Sequence, residues 1–137
     1  MTVLVPPDAA ELVVRLLRDV LPSLDERLVV GLRISTELGH GPGPPSLPWV
    51  LVREDGSTWS WPAPLRSTIR ISAWHETQHS AKRVCSLALA ALVAQRDAGG
   101  VIAAEPIAGA EVGPDPYTGG PVATASAAVF TRPRPEL

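Results

Sequence analysis

Two stretches of the chain carry apolar residues at helical spacing. The first is Ala9, Leu12, Val13, Leu16, Leu17 and Val20, with Glu11, Arg15, Arg18 and Asp19 on the other face. This pattern predicts an amphipathic helix. Asp8 stands ahead of it as N-cap, Glu11 follows three positions on as the capping-box partner, and Pro22 predicts its end. The second is Ala81, Val84, Cys85, Ala88, Ala91 and Leu92, which predicts a helix over Thr77 to Arg96 closed by Gly99-Gly100. The small residues of this stripe suit close packing against a sheet.

Elsewhere the period shortens to two, the signature of strands with one buried face. Leu28 to Ile34, Trp49 to Arg53, Arg66 to Trp74, Val101 to Val112 and Ala123 to Arg132 read this way, the fourth interrupted by Pro106 and Gly109. Asp55-Gly56 predicts a hairpin turn, and Pro62 and Pro64 break the run after Trp59 and Trp61. A Gly/Pro-rich loop spans Ser35 to Pro48, a turn-rich segment spans Gly113 to Pro121, and the tail from Pro133 to Leu137 is expected to fray. The order of elements predicts an α+β fold in one domain over residues 1–137. It is a two-layer sandwich, with a mixed or antiparallel sheet of about four to five strands and two helices on one face.

Composition narrows the classes. The chain has 137 residues and a net charge of −2, which excludes the basic footprint of a nucleic-acid binder. Cys85 is the sole cysteine, so no disulfide forms within the chain, and a buried thiol is expected. The N-terminus lacks the layout of a signal peptide and no apolar run is long enough to span a membrane, so folding in a cytoplasm is expected.

The sharpest chemical motif is His75-Glu76-Thr77-Gln78-His79, which fits the H-E-x-x-H pattern of zinc hydrolases. Two histidines four apart on a helix share a metal, and the glutamate activates its bound water. On a helical wheel both histidines lie roughly opposite the Val84 and Ala88 stripe, toward solvent, a cleft or a partner. Against a site, the helix starts at or near His75. No third ligand follows at metalloprotease spacing, since there is no later histidine and no carboxylate on the helix before Asp97. No phosphate-cradling loop and no nucleophile–base pair accompanies it. The expectation is therefore a non-enzyme without cofactor or metal, and Asp25 and Glu26 beside Arg27 read as a solvated turn.

The four tryptophans stand out against one tyrosine and one phenylalanine. Trp49, Trp59 and Trp61 cluster around one predicted hairpin and Trp74 ends the next strand. Large aromatics at such positions commonly serve cores or subunit interfaces, and this cluster is the best pointer to an interface.

Three stretches carry a resemblance. These are the opening helix after a Pro-containing N-terminus, the passage from Ser67 through Trp74-His75 into an alanine-rich helix, and the turn from Gly113 through Pro114-Asp115-Pro116-Tyr117 to Pro121 before a closing strand. In this layout the chain, from Asp8 to Arg132, resembles the small tail-terminator proteins of long, non-contractile-tailed bacteriophages of actinobacteria. It departs from them in the longer Gly39 to Pro48 loop and in the Trp59-Ser60-Trp61 pair.

The resemblance implies a virion structural protein that closes into a homohexameric ring on the head-proximal end of the tail, after assembly in the host cytoplasm. The ring stops growth of the major tail-tube protein and presents a face to the head–tail connector. DNA only passes through the lumen, and no membrane is involved. Loops on a rigid sheet commonly carry binding. The candidate assembly interface is therefore Glu37, His40, Pro42, Pro45, Trp49, Trp59, Trp61, Asp115 and Tyr117. Exposed acids such as Glu37, Asp55 and Asp115 are candidates to face the lumen and repel the DNA phosphates. The alternatives are another neck, head-completion or tail-tube protein, a small zinc-dependent hydrolase built on His75 and His79, and a bacterial domain of similar layout with no phage role.

Overall fold

The structure is a computed structural model that describes residues 3–25, 27, 31–38, 46–115 and 120–135. After a two-residue strand β1 (Leu4–Val5), helix α1 (Ala9–Leu24) begins at Asp8, whose carboxylate accepts the Glu11 backbone N–H at 3.2 Å. Only half of the predicted capping box forms, because the Glu11 carboxylate turns to Arg15 at 3.5 Å. Pro22 does not end the helix. It lies in the last turn, where a proline forfeits a single hydrogen bond, and the helix runs on to Leu24 before Asp25 caps it.

Strand β2 is Arg33–Ser35, shorter than expected: Gly31 and Leu32 lie outside it, and residues 28–30 lie outside the described residues. Strands β3 (Trp49–Thr58) and β4 (Leu65–Trp74) form a hairpin. Its turn is not at Asp55-Gly56. Pairing continues beyond that point, with Ser57 opposite Ser67 and Thr58 opposite Arg66. Asp55-Gly56 forms a bulge instead, with Gly56 at φ 138°, a backbone conformation that glycine adopts at little cost. The chain reverses at Ser60–Ala63, where the Ala63 N–H reaches the Ser60 carbonyl at 2.7 Å.

Helix α2 (Gln78–Val93) follows, with Thr77 as N-cap, and strands β5 (Val101–Pro114) and β6 (Pro121–Thr131) make the last hairpin. Pro106 and Gly109 do not interrupt β5. It is an edge strand, where a missing N–H is tolerated, and register shifts on both sides of Ala108 absorb them. Of the tail from Pro133, Arg134–Pro135 form β7, which pairs antiparallel with β1, and residues 136–137 lie outside the described residues.

The main sheet runs β2-β3-β4-β6-β5 and is mixed: β2 is parallel to β3 and the other neighbours are antiparallel. A parallel return needs about a dozen connecting residues or more, which the loop over 36–48 supplies. Strand β6 inserts between β4 and β5, so α2 crosses over β6 to join two strands that run the same way.

Both helices cover one face, giving the expected two-layer α+β sandwich. Toward them the sheet turns Val50, Val52, Ile69, Ile71, Ala73, Ala123, Ala125, Ala127 and Val129, all buried. The predicted α2 stripe is buried in full, and α2 packs on β6, whose Ala123, Ala125 and Ala127 are buried as well. Arg18 ties α1 to the short edge strand through two bonds to the Ile34 carbonyl, at 3.1 and 2.8 Å.

Candidate functional site

Among the described residues, no helix covers the other face of the sheet. Cross-strand register places Trp49, Trp74 and Val122 in one row across it, Leu51, Ser72, Thr124 and Glu111 in the next, and Arg53, Arg70, Ser126 and Ala108 in the one after. The first row is aromatic and the following rows turn polar. A shallow hollow of about 580 Å³ lies there among Asp55, Thr68, Arg70, Glu111, Thr124 and Ser126. Arg70 and Asp55 form an ion pair across it at 3.4 Å. Asp55, one of the candidate lumen acids, therefore has its charge partly balanced.

The aromatic residues divide between this face and the end of the β3–β4 hairpin. Trp49 is half-buried and its indole N–H donates to the Ser35 hydroxyl at 3.2 Å, linking β3 to β2. Trp74 is buried, and its N–H donates to the Asp115 carboxylate at 2.9 Å. Trp59 and Trp61 stand at the hairpin end, 37% and 62% exposed, with their rings edge to face at 5.7 Å. Trp59 is held by its N–H on the Ala63 carbonyl at 3.2 Å. The moved turn explains this display: with Asp55-Gly56 reduced to a bulge, the strands run on and carry both indoles to the tip.

The predicted interface residues do not all come together. Asp115 is only 3% exposed and committed to Trp74, so it is corrected from a lumen-facing acid to an anchor of the β5–β6 turn. Its backbone N–H also reaches the Gly120 carbonyl at 2.8 Å. Glu37 is exposed beside β2. His40, Pro42, Pro45 and Tyr117 lie outside the described residues.

The H-E-x-x-H motif does not form the helical pair that its spacing suggests. Thr77 caps α2 and the helix starts at Gln78, so His79 is helical and His75 is not. The His75 Nδ1 accepts the Glu76 N–H at 2.8 Å. Among the described residues, no three His, Cys, Asp or Glu side chains converge as a metal site requires.

Asp25 is no solvated turn residue. Its carboxylate takes both prongs of the Arg27 guanidinium at 3.2 Å and the Arg83 Nε at 3.3 Å, tying the end of α1 to the start of α2. These bonds, those from Arg27 foremost, hold the Asp25 carboxyl below the usual carboxylate range. Cys85, buried against the Ile71 carbonyl, has its thiol pushed up to about 12 by desolvation, and a thiol that stays neutral is no nucleophile.

Sequence reading missed a groove of about 480 Å³ on the helix layer, where the outer side of α1 meets the α2–β5 connection and Arg134. Leu12, Leu16 and Val20 form its floor, with Arg15, Asp19 and Arg134 at its rim. It exists because β7 returns to β1 and carries Arg134 over Gly100, where a Cβ would stand 2.6 Å from the guanidinium. The signal within reach was Val20, an apolar residue at the margin of the α1 stripe. No protein-family model matches the sequence, and no curated protein matches it either.

Proposed function

We propose that this chain is a structural protein of a phage virion, the tail terminator. Copies of it close into a ring on the last ring of tail-tube protein, stop tube growth and offer a face to the head connector. The observation that carries this reading is the exposed Trp59/Trp61 pair on a rigid hairpin. Exposed paired aromatics are the composition of interface centres rather than of solvated surface. The sheet face away from the two helices, with half-buried Trp49 at one end, supports it as a second surface for contact. A small rigid domain with two such surfaces suits repeated association, and a closed ring limits growth to one layer.

The mechanism requires no bond-making. Capping needs a surface complementary to the tube end, and DNA passage needs a lumen that does not bind phosphate. Of the candidate lumen acids, Glu37 and Asp55 are exposed, and a Glu37→Lys chain, altered beside β2, is expected to slow DNA passage.

The test is tube polymerisation in vitro. Purified tail-tube protein is allowed to elongate, and this chain is added at roughly one ring per tube end. Growth that stops at once, with electron-microscope images showing a cap on one end, is the expected result. Tubes that elongate at the same rate, with this chain left in the supernatant, would remove the reading.

A further inference from the structure

The hairpin tip and the helix-layer groove complement each other. The Trp61 ring is the most exposed large apolar side chain among the described residues, and its indole N–H has no partner among them. In the groove, the Asp19 carboxylate and the Arg134 guanidinium likewise have no hydrogen-bond or ion-pair partner among the described residues. The groove thus offers an apolar floor, an acceptor for an indole N–H and guanidinium groups for an indole face. Gly100 lets the Arg134 guanidinium and the Leu12 side chain both come close to its backbone, where a Cβ would stand 2.6 Å from the guanidinium.

We infer that the Trp59/Trp61 tip of one copy docks in the α1 groove of a second copy, with the Trp61 ring on Val20 and Leu16 and its N–H on Asp19. The tip does not fill its own groove, since its rings stay exposed. In a ring the contact is heterologous, and each subunit gives its tip to one neighbour and its groove to the other. This rests on the assembly reading above and names the contact between subunits. Trp59 and Trp61 together expose about as much as one whole tryptophan, so docking covers on the order of 250 Å² of the tip, and tip and groove together about 500 Å². That lies below the roughly 1,200 Å² of a stable standard interface. Free chains therefore associate weakly, and closure into a ring draws on a template such as a tube end.

The experiment is sedimentation of the full chain up to roughly millimolar concentration, beside Trp61→Ala, Val20→Glu and Arg134→Glu. Circular dichroism checks that each variant is folded. The wild type is expected to self-associate, and each variant to do so about thirtyfold more weakly. Trp61→Ala keeps its groove and Val20→Glu keeps its tip, so a mixture of the two is expected to form 1:1 dimers and nothing larger. Should Val20→Glu not fold, Arg134→Glu takes its place in the mixture.

A Trp61→Ala chain that associates like the wild type, or a mixture that forms no dimer, overturns the contact and leaves the ring reading standing. Wild-type chains that stay monomeric throughout also overturn it, while tube capping decides the ring reading separately. Open polymers that Trp61→Ala abolishes would uphold the contact and remove the terminator.

Discussion

The two faces of the sheet are built from opposite residues. The helix-covered face is aliphatic, dominated by Ile, Val and the alanines of β6 and α2, and is sealed from water. The bare face and the hairpin tip hold all four tryptophans. Ordinary cores place their largest aromatics inside, where they bury most area. Here the interior is filled by aliphatic side chains, Trp74 is buried at the edge of the other face, and only Trp59 and Trp61 are left exposed, at the hairpin tip. The contrast sets a sealed core under the helices against an exposed aromatic tip.

Substitution tests that division most strongly at one pair of neighbours on β4. Ile71→Ala, on the helix-covered face, is expected to cost about 2–5 kcal/mol in denaturant unfolding, because it opens a cavity under both helices. Ser72→Ala, one residue on and facing the other way, should stay within about 0.5 kcal/mol. Equal losses at the two positions would break the comparison.

Next in size is an alkaline effect. The Cys85 thiol is held neutral up to about 12 in the folded chain, whereas in the unfolded chain it ionises near 8.5. A raised pKa means that the folded state keeps a proton the unfolded state has lost. Stability is therefore intact below about 8.5 and falls by about 1.4 kcal/mol per pH unit above it, until the folded thiol ionises. Urea midpoints measured from pH 8 to 11 should show this slope, and Cys85→Ala should lack it.

Trp74→Phe keeps the ring but removes the donor to Asp115, and it is expected to cost about 1–3 kcal/mol. This would show that the bare face has one anchored corner. A smaller effect of opposite sign is expected at Thr131. Among the described residues its hydroxyl and that of Ser67 are buried without a hydrogen-bond partner, so Thr131→Val should raise stability by about 1 kcal/mol in thermal unfolding.

What was legible in the sequence followed from local periodicity. The α1 and α2 stripes and the Asp8 cap lie where the pattern puts them, because a helix repeats its environment every turn. The hairpin turn was misplaced because Asp-Gly suits a bulge as well as a turn, and strand pairing on both sides outweighed the local preference. The parallel pairing of β2 with β3, the β1–β7 clasp and the groove under Arg134 join segments far apart in the chain, and no spacing rule reports them. In the site, the tryptophans were legible by rarity. Asp115 was misjudged because its burial depends on Trp74, 41 positions away.

The central claim is that this aromatic outer surface assembles copies of the chain into a closed ring. It is tested most directly by the mass of the protein, by native mass spectrometry, alone and on isolated tail-tube ends, with metal content measured on the same sample. The account predicts a single discrete ring species on tube ends, from a weakly associating chain without stoichiometric zinc. Open-ended polymers, a chain that never joins the tube, or one zinc per chain lost on changing His79 would contradict it.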